Sequence, residues 1–188
     1  MKNFFTSLFI LGLSTNLFAQ ATNGVEKSIF NVQTGFLGVF VNNESRLAER
    51  FTLRSEIGLD SGFFIEGNGS NTFFMTPIVT LEPRFYYNIN KRARNDKQTA
   101  NNSANFVTTS IRFAPDAFVI SNIDNIKVFN QIAFIPKWGI RRSIGTSNFN
   151  YELGAGLGYS HIFRKNEGYA KDLKQAVLDL HLRIGYTF

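Results

Sequence analysis

Only two histidines, His161 and His181, and no cysteine occur in this 188-residue chain, so the chemistry open to it is narrow. Ser160 precedes His161, and serine with histidine is the pair that a hydrolase or acyltransferase uses as nucleophile and base. In a strand the side-chain period is two, so these neighbours point to opposite faces and make poor partners. Asp179 and His181 share one face at i and i+2 and could hold a cation, yet Arg183 follows on that face and favours a hydrogen-bonded polar network instead. Gly67-Asn68-Gly69-Ser70-Asn71 is glycine-rich but lacks the lysine and following helix of a phosphate-binding loop. Without cysteine there is no thiol nucleophile, thiolate metal site or disulfide scaffold. No catalytic residue, metal site or cofactor is therefore expected.

The elements that would carry these residues are strands. The chain closes on a run in which Ala176, Leu178, Leu180, Leu182, Ile184, Tyr186 and Phe188 alternate with Val177, Asp179, His181, Arg183, Gly185 and Thr187. Similar alternation sets Phe51, Leu53, Ile57 and Leu59 against Thr52, Arg54, Glu56, Gly58 and Asp60. Val79, Leu81, Pro83, Phe85, Tyr87 and Ile89 oppose Thr80, Glu82, Arg84, Tyr86 and Asn88. Seven long segments are readable, at 28–43, 50–66, 77–90, 104–120, 127–142, 149–164 and 173–188. Each is near or above the roughly 9 to 11 residues of a tilted transmembrane strand. A closed sheet needs an even number, so the first segment is split into a hairpin, Ser28 to Thr34 and Phe36 to Asn43, with Gly35 near the bend. Splitting 104–120 at Pro115-Asp116 is the other repair. The expected fold class is all-β, an antiparallel transmembrane β-barrel of eight strands.

An eight-strand barrel is only wide enough for its own side chains to fill it. The polar residues on the inward stripe are Arg54, Glu56, Asp60, Glu82, Arg84, Arg112, Lys137, Arg141, Glu152, Asp179 and Arg183, six basic and five acidic. They are expected to pair across the lumen, together with His181, because isolated buried charges are too costly. Gly154, Gly156 and Gly158 alternate on the same stripe and would give clearance to bulky groups such as Arg84, Tyr86, Arg112 or Arg183. A soluble, lipocalin-like barrel would use the same alternation with the faces exchanged, but three alternating glycines on a soluble exterior would weaken the sheet for no gain.

Residues 1–19 read as a signal peptide, with Lys2, an apolar run from Phe4 to Leu13 and Leu17-Phe18-Ala19 before Gln20. Residues 20–188 then form a single domain. The chain has 21 Phe, 6 Tyr and 4 Pro, suited to strands. Its net charge of +6 becomes +5 without Lys2. The basic cluster from Lys91 to Lys97 reads as a solvated turn, with a headgroup or periplasmic contact as the other use, and nucleic acid is not an expected partner. The connectors 44–50, 91–103 and 145–148 fall at one end, taken as periplasmic; 67–76, 121–125 and 165–171 fall at the other, taken as extracellular.

Several stretches carry a resemblance: Val39 to Gly58, Leu81-Glu82-Pro83-Arg84-Phe85-Tyr86-Tyr87-Asn88, Pro136-Lys137-Trp138-Gly139-Ile140-Arg141-Arg142 and Tyr151-Glu152-Leu153-Gly154. Together they resemble a family of small outer-membrane β-barrels from Bacteroidota-type bacteria. More broadly the chain is similar to outer-membrane protein A-type barrels without an attached peptidoglycan-binding domain. The resemblance implies the bacterial outer membrane as location and a barrel fold, and supplies no activity for individual residues. Expected partners are outer-membrane lipids, among them lipopolysaccharide, and the barrel-assembly machinery acting through the C-terminal strand. The expectation is a monomeric barrel with a structural or interaction role. A narrow channel for small solutes or ions and a lipid-modifying enzyme are the alternatives.

Overall fold

A computed structural model describes residues 24–35, 38–65, 71–123 and 126–188. The expected leader at 1–19, the glycine-rich stretch at 67–70 and Phe36 of the first hairpin lie outside the described residues. Nine strands form one antiparallel sheet: β1 Ser28–Gly35, β2 Gly38–Ala48, β3 Phe51–Ile65, β4 Asn71–Phe85, β5 Asn105–Ala114, β6 Ile120–Ser121, β7 Gln131–Ser143, β8 Phe149–Ile162 and β9 Leu173–Thr187. Eight of them close into a ring in the order β3-β2-β1-β9-β8-β7-β5-β4, with β4 returning to β3. The two-residue β6 lies outside that ring, paired to β4 through Phe74↔Ser121 and Met75↔Ile120.

Both repairs of the strand count contribute. Gly35 faces Gly38 in a tight first hairpin. The segment 104–120 also breaks, because Pro115 has no N–H to donate to a ladder; β5 stops at Ala114 and the chain resumes pairing only at Ile120. Residues 71–76, assigned to a connector, are instead the first part of β4. The segment 127–142 begins pairing at Gln131.

The closing seam is short. β1 and β9 pair from Asn31↔Thr187 to Gly35↔Arg183, whereas β8 and β9 pair from Phe149↔Tyr186 to Ile162↔Leu173. Because the first hairpin turns immediately after Gly35, β9 above Arg183 has no described neighbour on the β1 side.

Both chain ends, as far as described, and the β2–β3, β4–β5 and β7–β8 connections share one end of the ring, here the terminal end; the opposite is the loop end. At the terminal end the strand expected over 77–90 stops at Phe85, and Ile89–Arg94 form a short helix, α1, followed by a 3-10 turn at Ala100–Asn102. Ile89 is therefore not on the outer wall. It is 1 % exposed and packs with Val25, Tyr86, Ala104 and Phe106 as an apolar stopper under the ring. The reason is the hydrophobic effect acting on a long connector: folding back removes Ile89 from water, which a solvated turn cannot do. Asn102, at φ 58, turns its side chain inward, donating from Nδ2 to Glu44 Oε1 (2.7 Å) and accepting the Glu26 N–H at Oδ1 (2.8 Å). Asparagine tolerates this left-handed backbone better than other side chains.

Ile89→Ala should lower the unfolding free energy by about 2 to 4 kcal/mol, since the stopper cannot fully collapse around the missing atoms. A guanidinium titration followed by the fluorescence of Trp138, the only tryptophan, reads this directly. An unchanged midpoint would mean that the connector and the ring unfold independently.

Candidate functional site

Period two gives the ring two opposite surfaces, and the charge lies on the inner one. Arg54, Glu56, Glu82, Arg84, Lys137, Arg141, Glu152, Asp179 and Arg183 are all buried, while Ile57, Leu157, Leu178 and Leu180 on the outer surface are 61 to 68 % exposed. Glu44, taken from sequence as the start of a connector, is also fully buried in the lumen, because β2 continues to Ala48. With it, among the described residues, the lumen holds six cationic side chains (Arg54, Arg84, Arg112, Lys137, Arg141, Arg183) and six carboxylates (Glu44, Glu56, Asp60, Glu82, Glu152, Asp179), a balanced set.

Glu152 on β8 is the centre. Arg84 reaches it from β4 with two parallel bonds, Nη1 to Oε2 (2.9 Å) and Nη2 to Oε1 (2.8 Å), and Arg54 donates from β3 through Nη1 (3.0 Å to Oε1). This fork geometry gives the strong form of an arginine–carboxylate pair. Arg54 Nη2 also donates to Gln33 Oε1 (2.6 Å) and to Glu56, which accepts Arg183 Nη1 at 2.7 Å. On the other side Arg84 Nε bonds Glu82 (2.9 Å), Glu82 accepts Lys137 Nζ (2.6 Å), and Lys137 lies 3.5 Å from Asp179. Arg112 then bridges Asp179 (3.2 Å) and Asp60 (3.1 Å). Glu44 links Arg84 (3.6 Å) to Arg141 (3.5 Å), so all twelve charges belong to one network.

Neutral side chains are interleaved with this network, since Gln33 accepts from Arg54 and Asn31 accepts from Arg141. Asn31, Gln33, Asn42, Asn150 and Thr187 pass hydrogen bonds around the lumen: Asn150 Nδ2 donates to Asn31 Oδ1 (3.1 Å) and Thr187 Oγ1 (3.0 Å), and Thr187 Oγ1 donates to Asn31 Oδ1 (2.6 Å). Sequence reasoning passed over these side chains because it sorted by charge; the inward parity of Asn31, Gln33, Asn150 and Thr187 was the signal that identifies them.

Two aromatic stacks use missing side chains. A Cβ on Gly139 would lie 2.4 Å from the Phe106 ring, whose other side carries Arg84 4.2 Å from its centroid. A Cβ on Gly58 would lie 2.5 Å from Phe40, with Arg183 at 3.7 Å beyond it. Each guanidinium gains a cation–π contact on a ring that only glycine lets approach the wall.

The glycines of β8 make room for groups other than the expected arginines. Gly154 lies against the His181 ring, with 2.4 Å between its would-be Cβ and Cε1. Gly156 and Gly158 are closed over by β7, the first by Pro136 O (2.6 Å) and Ile135 Cγ2 (2.9 Å), the second by Phe134 O (2.2 Å). His181 is nearly buried, its Nε2 3.2 Å from Glu152 Oε1 and its Nδ1 3.6 Å from Asp179 Oδ1. Among the described residues no cluster of three or more His, Asp or Glu side chains is arranged to hold a metal.

No family model, curated protein or solved structure matches this chain.

Exposure rises toward the loop end, where Asp60 and Arg112 keep 24 and 21 % of their side chains accessible. A half-open space of about 430 Å³ there is bounded by lumen residues, among them Asp60, Arg112, Asp179 and His181, and by outer-face residues such as Leu178 and Leu182. Residues of opposite parity cannot line one cavity through an intact sheet; the two faces meet beside β9, above its last pairing with β1. Ser160 is buried inside while His161 sits at the outer rim, so the candidate nucleophile and base stay apart. His161 instead approaches Asp172 (3.3 Å), whose Oδ1 accepts the N–H groups of Arg164 and Lys165, both at 2.9 Å.

The Lys165 amide, with His161 and the Arg164 amide adding to it, holds the Asp172 carboxyl below the ordinary carboxylate range. A lowered folded value stabilises above the unfolded pKa and is lost as pH falls through the folded one. Protection of the Arg164 and Lys165 amides against hydrogen exchange should therefore persist as pH falls to the usual carboxylate range and vanish below it; loss already at neutral pH would break the assignment. In the lumen, Gly156→Leu should block ring formation, because its side chain would displace the β7 backbone. A heat-resistant folded band on electrophoresis at the parent's yield would refute this.

Proposed function

We propose that this chain is a small barrel of the bacterial outer membrane whose outer surface meets acyl chains and whose filled lumen makes it a structural or interaction element of the cell envelope. The observation that carries the reading is the placement of charge: a balanced, paired set inside and an exposed leucine- and phenylalanine-rich surface outside. A water-soluble ring would bury the second set and expose the first. Closure supports it too, since a spanning sheet must leave little unpaired edge in hydrocarbon.

Aromatic residues mark the terminal end of the outer surface. Phe51 stacks on Phe85 (4.6 Å), and Phe149, Tyr186 and Phe188 form a chain of edge contacts that continues to Phe30. Trp138 Nε1 donates to Tyr87 Oη at 2.9 Å. Rings with a polar tip settle at the boundary of headgroups and acyl chains, and such girdles flank the apolar band of outer-membrane barrels. On this reading the terminal end faces the periplasm, and the loop end meets lipopolysaccharide or an external partner. The signal-like residues 1–19 and the likeness of the strand motifs to small envelope barrels point the same way.

A filled lumen argues against the channel alternative. Arg54, Arg84 and Glu152 meet across the middle with at most 1 % of their side chains exposed, and the stopper closes the terminal end. Protein refolded into phosphatidylcholine vesicles should give a heat-modifiable band, and planar-bilayer recordings should show no discrete conductance steps. A compact, soluble protein in detergent-free buffer would overturn the membrane reading; reproducible steps would overturn the filled lumen alone.

A further inference from the structure

The connector that supplies the stopper also carries charge that the lumen does not use. Lys91, Arg92 and Lys97 project from α1 and the turn after it, and among the described residues none of them has an ion-pair partner. Asp96 is the only carboxylate between Tyr86 and Ala104. A cleft of about 390 Å³ opens beside the helix, lined by Tyr87, Asn88, Lys91, Arg92, Asn95 and Lys97, with no acidic side chain in its wall. Arg142 at the end of β7 likewise has its guanidinium held by Asn105 Oδ1 and the Arg141 carbonyl rather than by a carboxylate. Like charges gathered without an intervening anion are stabilised by one from outside.

The cleft also has a defined height. Tyr87 Oη accepts the Trp138 Nε1–H and the Asn105 Nδ2–H (3.1 Å), which leaves its own O–H free to donate to an acceptor. Tyr87 and Trp138 are the outward aromatics that, on the proposed membrane reading, sit at headgroup level.

From these features we infer that the cleft binds the phosphate of an anionic phospholipid headgroup in the leaflet at the terminal end. Lys91, Arg92 and Lys97 supply the charge, Tyr87 and the Asn88 and Asn95 amides supply directed donors, and the acyl chains continue along the outer wall. The inference rests on the membrane reading and goes beyond it by naming a lipid class and a site.

The test uses the mature chain in dodecylmaltoside micelles doped with equal phosphatidylglycerol and phosphatidylcholine, with retained lipid counted by native mass spectrometry. The parent should keep phosphatidylglycerol in preference, and Lys91→Gln/Arg92→Gln/Lys97→Gln should weaken that preference by about tenfold or more. A charge-matched variant at the same end but outside the cleft, Lys27→Gln/Arg50→Gln/Arg94→Gln, should keep it. Equal retention of both lipids by the parent, or equal losses in the two variants, overturns the site. So does inorganic phosphate displacing the lipid at equal concentration, which would mark a free-anion site. A heat-modifiable band is read on every sample: a parent that fails to form it sinks the membrane reading and this inference with it, whereas a folded parent without lipid preference sinks the cleft alone.

Discussion

The structure of this ring depends on neutralising the charge enclosed in its lumen. Glu152 shows the constraint most plainly, accepting a bidentate bond from Arg84 and a further bond from Arg54 while wholly enclosed. An enclosed carboxylate without those partners would cost several kcal/mol, and either guanidinium without the carboxylate would cost as much. Each ring strand except β1 therefore contributes a charged group to the common network, and β1 contributes the amides Asn31 and Gln33. The glycines follow from the same demand: His181, Phe40 and Phe106 occupy wall positions where a Cβ would stand, because the centre is already full.

A filled centre moves the interesting chemistry to the two ends. At the terminal end the apolar stopper meets the network directly: its Phe106 ring carries Arg84, and Asn102 on the same connector donates to Glu44. At the loop end burial relaxes, and Asp60 and Arg112 keep contact with solvent. The His161–Asp172 contact, capped by two backbone amides, fixes the start of the β8–β9 connection, so this loop is anchored rather than merely tethered.

Parity made most of the lumen legible before any coordinates. The inward set containing Arg54, Glu56, Glu82, Arg84, Lys137, Glu152, Asp179 and Arg183 could be written down because each lies in a strand with clean alternation. What escaped did so for local reasons. Glu44 lies in Asn42-Asn43-Glu44-Ser45, a polar run with no hydrophobic alternation, so nothing in the pattern showed that β2 passed through it. Ile89 continued the alternation of β4 for one more step, and only the chance to bury it under the ring turned the chain into a helix. The role of Gly156 was misread because the neighbouring strand, not a distant arginine, takes up its space.

The seam between β1 and β9 joins residues from opposite ends of the sequence with the fewest rungs of any contact on either strand. Bringing Asn31 to Thr187 costs the loop entropy of nearly the whole described chain, and five backbone pairs return little against it. The side chains make up the difference: Asn31 and Thr187 are hydrogen-bonded to each other and both are held by Arg141 from across the tube. The ring thus has a clasp rather than a weld, fastened from within by side chains of β1, β7 and β9.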